Sequence, residues 1–181
     1  LIDWLERVDT EVTTFFASLD PSAPAIFPVD WAGESSSQNW FDIGREYTER
    51  WHHGQQLFDA LEVPSTIMTP RLYHPCLDIY FRALPHAYRE TPAPEGTAIC
   101  LTVTGDAGGD WWIVREGDAW QSVTGVNKTP AARVYLPEAV AWKVVNRRAS
   151  ATQILEAFPD IRIEGENDLA TPALELVAVM I

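Results

Sequence analysis

The sequence is poor in cysteine, in basic residues and in long apolar runs. Its 181 residues include 2 cysteines and 13 Lys+Arg against 26 Asp+Glu, a formal net charge of -13. A surface of that sign repels phosphate backbones and anionic lipids, so we expect no nucleic-acid partner and no membrane partner. No apolar run reaches the roughly 20 residues that a spanning helix needs. Two isolated thiols, without a CxxC spacing, favour a cytoplasmic protein and disfavour a thiolate zinc site.

The sequence also lacks a starting methionine and the usual catalytic motifs. It begins at Leu1 within a helical pattern, with no signal segment, so we expect further residues upstream in the natural protein. It contains no GxSxG, P-loop or GxGxxG motif. The glycine-rich stretch 105–110 joins two predicted strands, which is typical of a hairpin loop and not of a phosphate site.

The patterns that are present predict an α+β fold. Apolar residues at helical spacing predict an amphipathic helix over 1–19 and a second helix over about 40–61, with Ser35 and Gln38 as a capping box. We place a domain boundary near residue 70, which divides the chain into 1–70 and 71–181. The second part shows a five-stranded sheet and four helices. The predicted strands are 97–103, 111–114, 120–123, 133–136 and 161–163, and the helices are 73–84, 138–147 (opened by Pro137), 151–158 and 169–181.

The second helix carries a carboxylate and an imidazole that could share a metal ion. Glu49 and His53 are four residues apart and therefore lie on one side of the helix. Zinc, nickel and iron all accept such ligands, and Arg45 and Gln56 could orient them from one turn away. The alternative is a solvated helix face with an ordinary Glu–His pair, worth about 0.3 kcal/mol. A catalytic site also needs about three protein ligands.

The other histidines have equally open roles. His74 and His86 are candidates for a third metal ligand, against a capping or surface role. His52 points away from the Glu49 side of the helix, and we expect it at the surface or at an interface. The apolar face of this helix is predicted from a set of four aromatic residues at helical spacing: Trp40, Tyr47, Trp51 and Phe58.

The second part of the chain is rich in aromatic residues. Trp111 and Trp112 are adjacent on a predicted strand, so they project to opposite faces of the sheet. They could line a pocket for a hydrophobic ligand. The alternative is ordinary packing in the core for one and an edge position for the other.

Several segments together resemble a known family. Residues 39–53 resemble the last helix of the DinB-like four-helix bundle, and the match is with mycothiol-dependent maleylpyruvate isomerases. Segments 81–85, 103–111, 141–142 and 163–170 resemble the C-terminal domain of that family, which is similar to the sterol carrier protein type two fold. On this resemblance, residues 1–61 correspond to the last two helices of the bundle, and its N-terminal part is missing.

The resemblance implies a bacterial, metal-dependent S-transferase or isomerase that acts on a small-molecule substrate. Its divalent metal, zinc or nickel, would be bound by Glu49, His53 and a histidine from an absent helix, with mycothiol or another small thiol as cofactor. The family usually has Asp where this chain has Gln56, and the resemblance identifies no catalytic residue. The alternative is a non-catalytic module that binds a hydrophobic ligand or a protein, and a third reading is a sensor on the same scaffold. A half-bundle would leave residues 1–19 partly uncovered, which predicts a homodimer through this helix.

Overall fold

A computed structural model describes residues 1–178 of the chain. Within these residues it has seven α-helices, a short 3-10 turn and five strands, so the predicted α+β class is confirmed. None of these helices is both long and apolar enough to cross a membrane. In chain order the elements are α1 Ile2–Ser18, the 3-10 turn Asp30–Ala32, α2 Asn39–Ala60, α3 Pro70–Phe81, α4 Leu84–Ala87, β1 Ala98–Thr104, β2 Gly109–Glu116, β3 Ala119–Val123, β4 Ala132–Pro137, α5 Glu138–Val145, α6 Ala151–Ala157, β5 Arg162–Gly165 and α7 Asn167–Leu174.

The sheet is mixed and has the strand order β3-β2-β1-β4-β5. The first three strands form the predicted antiparallel meander, with the Gly-rich loop and the Gly117 turn as its hairpin connections. β4 then returns to lie parallel to β1, and β5 pairs with β4 in the antiparallel sense. The central strand β1 is therefore flanked on both sides, and five of its seven residues are buried.

The two faces of the sheet differ in chemistry because side chains alternate along each strand. One face is apolar and covered by helices, and Leu101 and Val134 are neighbours on it with almost no exposure. The other face is polar: the Arg133 guanidinium donates to Thr102 and pairs with Asp110 at 3.3 Å. One face of the sheet thus packs against the helices to form the core, and the opposite face is directed to solvent.

Aromatic contacts join the helices to this core. The Trp51 ring on α2 stacks on the buried Tyr73 ring of α3, with centroids 4.3 Å apart. The Tyr47 hydroxyl donates to the Leu72 carbonyl oxygen at 2.8 Å, which fixes α2 against the start of α3. In contrast, α1 contains no buried residue. It is held to α2 by an ion pair between Asp9 and Arg50.

Some local predictions were wrong. α2 begins after Gln38 without a side-chain cap, so the predicted Ser35–Gln38 capping box is not formed. A capping box does form at the start of α6, between Ser150 and Gln153. The last helix was predicted over 169–181, but it ends at Leu174. Residues 175–178 are therefore not helical, contrary to the prediction, and residues 179–181 lie outside the described residues.

The buried face of α2 also differs from the prediction. Trp51 is buried as expected, but Trp40 is 36% exposed. The helix has two neighbours, α3 and α5, and therefore buries a broader face than a single stripe. That face includes three polar residues: Thr48, His52 and Gln55.

Candidate functional site

The predicted metal ligands lie side by side on the outer surface of α2. The His53 Nε2 atom is 3.5 Å from a Glu49 carboxylate oxygen, and the two side chains are 69% and 45% exposed. Among residues 1–178, no three His, Cys, Asp or Glu side chains come together as a metal site. The described residues therefore supply two adjacent donors, one short of a usual catalytic zinc set.

Of the two expected supporting residues, one contacts the pair. The Gln56 side-chain amide lies 2.9 Å from His53 Nδ1 and, through its other end, 2.9 Å from His52 Nε2. The Arg45 guanidinium instead pairs with Asp42 at 3.3 Å, on the preceding turn. Gln56 thus links the exposed histidine to a buried one.

The buried histidine, His52, is in contact with α5. Its Nδ1 atom is 2.8 Å from the Asn146 side-chain nitrogen, which also lies 2.7 Å from the Trp142 carbonyl oxygen. A carbonyl only accepts hydrogen bonds, so this end of the amide must be the NH2 group, and it donates to both atoms. His52 Nδ1 is therefore the acceptor, and in the neutral ring Nε2 carries the hydrogen.

This tautomer sets the direction of the whole chain of hydrogen bonds. The His52 Nε2–H needs an acceptor, so the Gln56 amide must turn its oxygen to His52, an orientation that occupies the same space. The Gln56 NH2 group then donates to His53 Nδ1. His53 Nε2 carries the hydrogen and donates towards Glu49. Every donor from Asn146 to Glu49 has an acceptor in this arrangement.

A metal on His53 Nε2 would need the opposite direction. The metal takes the lone pair of Nε2, so Nδ1 must carry the hydrogen and donate to the Gln56 oxygen. The Gln56 NH2 group then donates to His52, whose two nitrogens both face N–H donors. A neutral imidazole can accept only one of these. The buried His52–Asn146 contact therefore works against metal binding at the pair.

Burial also controls the charge of His52. Desolvation lowers its pKa below the ordinary histidine value, and the nearby His53 lowers the pKa further. The neutral ring is consistent with its role as acceptor from Asn146. Burial also raises the pKa of the free Cys76 thiol, and that of Cys100 to about 11, so neither is a ready nucleophile.

The other two candidate ligands have structural partners. His74 Nδ1 lies 3.1 Å from the Ala107 carbonyl oxygen, and its Nε2 is 3.8 Å from Asp78. His86 packs against Gly33, where an added Cβ would lie 2.3 Å from His86 Nδ1 unless the ring moved. Both histidines hold a loop against a helix.

Trp111 and Trp112 lie on opposite faces of the sheet, as predicted. The Trp111 ring is 4.7 Å from Phe81, between centroids, and its indole N–H donates to Asp78 at 2.9 Å. Trp112 lies on the polar face beneath the Arg133 guanidinium, 5.0 Å from its ring centroid. Neither tryptophan lines the three large cavities around Arg148.

Three cavities adjoin one another around Arg148, and we name them together the Arg148 cleft. The first, about 720 Å³, lies between α2 and α5 and includes His52, Trp142 and Phe158 in its wall. The others, about 670 and 760 Å³, share the Trp31 ring as well as Arg148. Each volume is within the range typical of small-molecule sites. The His52 end of the hydrogen-bond chain thus opens onto a ligand-sized cavity.

Sequence reasoning did not single out Asn146, Arg148 or Phe158. The pair Arg147-Arg148 in an acidic chain was a visible charge signal. The cleft itself depends on how the segment after α5 lies against α2 and the 3-10 turn. No pattern within a single helix predicts that contact.

Comparisons with known proteins give a sparse result. No protein-family model matches the chain, and no curated protein matches it. Among solved structures, a protein titled "UbiJ-SCP2 Ubiquinone synthesis protein" is similar with a TM-score of 0.35 and 16% sequence identity. The similarity covers 52% of this chain and 76% of that protein.

Proposed function

We propose that this chain is a non-catalytic binding protein whose ligand, a small molecule with an apolar body, occupies the Arg148 cleft. The observation that carries the proposal is the cleft itself: three adjoining cavities of about 670, 720 and 760 Å³ that share one side chain. Small-molecule sites are typically concave and largely apolar, with a few convergent polar groups. We place the protein in the cytoplasm, in line with its free thiols Cys76 and Cys100.

The walls of the cleft supply both kinds of contact. Trp31 is held edge-on against the buried Phe41 ring, with centroids 5.6 Å apart, so its position is fixed before a ligand arrives. Phe158 provides a second aromatic wall. Two of the polar groups, His52 and Asn146, are already fixed by a hydrogen bond to each other. A rigid aromatic wall with fixed polar groups reduces the entropy that binding must overcome.

Titration with the neutral apolar dye Nile red tests the proposal. We expect binding by the wild-type chain and its loss in Phe158→Ala, with little change in Trp112→Ala. The reverse pattern would instead support the predicted pocket at Trp111 and Trp112. Absence of dye binding to the wild-type chain would contradict a role in binding apolar ligands.

A second candidate function rests on the Glu49–His53 pair. We propose it as metal-dependent thiol transfer or isomerisation, in which a bound zinc or nickel ion would lower the pKa of a small thiol such as mycothiol. The 3.5 Å separation and the Gln56 contact to His53 favour it. The incomplete donor set and the opposing direction of the His52 chain weigh against it. Further ligands would have to come from outside residues 1–178.

Metal analysis of the full-length protein decides this second candidate. We expect Glu49→Ala and His53→Ala to lose bound zinc or nickel if the pair is a metal site. Glu46→Ala is the matched control, since Glu46 lies on the same helix and binds Arg50. Equal metal content in all three variants would exclude the pair as ligands.

A third proposal concerns a partner. We propose a homodimer through residues 1–19, because α1 has exposed apolar side chains on a helix without buried residues. Leu5 is 51% exposed and Phe15 57%. Sedimentation equilibrium should show a dimer that Leu5→Glu converts to monomer, while Thr13→Glu leaves it intact. A wild-type monomer at high concentration would refute the dimer.

A further inference from the structure

The part of the cleft between α2 and α5 is positively charged, although the chain carries a net charge of -13. Lys143, Arg147 and Arg148 line this cavity. The one carboxylate in its wall, among the described residues, is Asp59, and Lys143 neutralises it at 2.7 Å. Arg147 and Arg148 have no carboxylate partner within residues 1–178. Within the described residues, the cavity therefore has two positive charges without an ion-pair partner.

The same cavity has an aromatic wall next to these charges. The Arg147 guanidinium lies 5.4 Å from the Phe158 ring centroid, and the half-buried Phe158 and the buried Trp142 both line the cavity. A cation just beyond the C-terminal end of α5 also interacts favourably with the helix carbonyls. That effect explains a basic residue near Asn146. It does not explain why a ligand-sized aromatic cavity opens beside two such residues.

We infer that the ligand of the Arg148 cleft is a carboxylate with a flat apolar body. Its carboxylate would accept hydrogen bonds from Arg147 and Arg148, and its apolar body would pack against Phe158. A guanidinium matches the two oxygens of a carboxylate with two parallel N–H donors. This inference rests on the proposed binding function and adds the charge of the ligand to it.

Other polar side chains of this cavity already have partners: His52 Nδ1 accepts from Asn146, and Lys143 is paired with Asp59. The charge that recognises the ligand is therefore concentrated in the two arginines. Removal of both should abolish the preference for an anion without altering the apolar wall.

Calorimetric titration with two matched probes tests this inference. The probes are 2-naphthoate and 2-naphthalenemethanol, which share a ring and differ in charge. We expect the acid to bind about tenfold more tightly than the alcohol, as one charge-assisted contact predicts. In the double variant Arg147→Gln/Arg148→Gln the two affinities should become equal. Arg71→Gln, an exposed arginine at the start of α3, is the control and should keep the tenfold preference.

The outcomes separate the two proposals. If the wild-type chain binds acid and alcohol equally, or if the preference survives in the double variant, the inference about the carboxylate is wrong and the binding function stands. If the chain binds neither probe, both proposals are contradicted. Both arginines are exposed, so the double variant should fold normally, which circular dichroism can verify. Added salt should narrow the difference between acid and alcohol in the wild-type chain.

Discussion

The hydroxyl of Tyr73 provides the sharpest test of how the core is assembled. Tyr73 is fully buried, and its hydroxyl donates to the Glu138 carbonyl oxygen at 3.0 Å. The Tyr73 hydroxyl oxygen in turn accepts a hydrogen bond from the Trp142 backbone N–H at 3.1 Å. These two backbone groups are four residues apart in α5, so a side chain from α3 joins successive turns of a helix that lines the Arg148 cleft.

The substitution Tyr73→Phe removes both hydrogen bonds and keeps the ring that stacks on Trp51. Each buried hydrogen bond contributes a net 0.5–1.5 kcal/mol, so we expect a loss of about 1–3 kcal/mol in the free energy of unfolding. In a protein of this size 1 kcal/mol corresponds to about 2–4 °C in Tm. The expected decrease in Tm is therefore about 2–12 °C.

Urea unfolding, followed by circular dichroism, measures this loss. Tyr135→Phe is the control, because the Tyr135 hydroxyl donates to Glu164 at 2.8 Å on the solvent-facing side of the sheet. We expect a much smaller loss there, since water replaces the missing bond. If Tyr73→Phe is no more destabilising than Tyr135→Phe, the hydroxyl does not hold α5 in place and the reasoning is wrong.

Three further predictions concern stability. Burial lowers the pKa of His52, so the unfolded chain binds a proton at this residue more readily than the folded chain. The stability that neutral His52 contributes should be present above its ordinary pKa of about 6.5 and be lost as pH falls. His52→Gln should flatten this pH dependence in urea midpoints measured from pH 7.5 to 5. Ser150→Ala should cost about 1 kcal/mol in urea unfolding through the lost cap, and an equal loss in Ser35→Ala would refute this assignment. Gly33→Ala should lower Tm more than Gly125→Ala, because both glycines have a positive φ but only a Cβ at Gly33 would contact His86. Equal decreases in Tm would show that the His86 side chain moves aside without cost.

Local patterns were sufficient for much of the fold. The meander follows from period-two runs and glycine turns, and Pro137 directly precedes α5 as predicted. The parallel pairing of β4 with β1 could not be predicted in the same way. This pairing joins residues more than 30 positions apart in sequence. The two strands are not connected by a short hairpin turn, so no local sequence pattern sets their register. The two capping boxes show a similar limit, since Ser35 and Ser150 both fit the pattern and only the second forms.

The candidate site was predictable only in part. The contact between Glu49 and His53 follows from their spacing on one helix, and the structure places them side by side. Metal binding by this pair stays a prediction. The burial of His52 depends on α5, whose capping residue Asn146 is 94 residues away in sequence. Helical periodicity identifies which residues share a face, but it does not show that a second helix covers a neighbouring face.

The contrast between α1 and β1 has a consequence for how the protein opens. β1 is paired on both sides, whereas α1 has no buried residue and is held by the ion pair of Asp9 with Arg50. Segments with few buried contacts open locally at low free energy, while a central strand opens only in global unfolding. In the monomer, amide hydrogens of α1 should exchange with solvent long before those of β1. A protease should cut the monomer within α1 first and leave the sheet and its covering helices as one resistant unit.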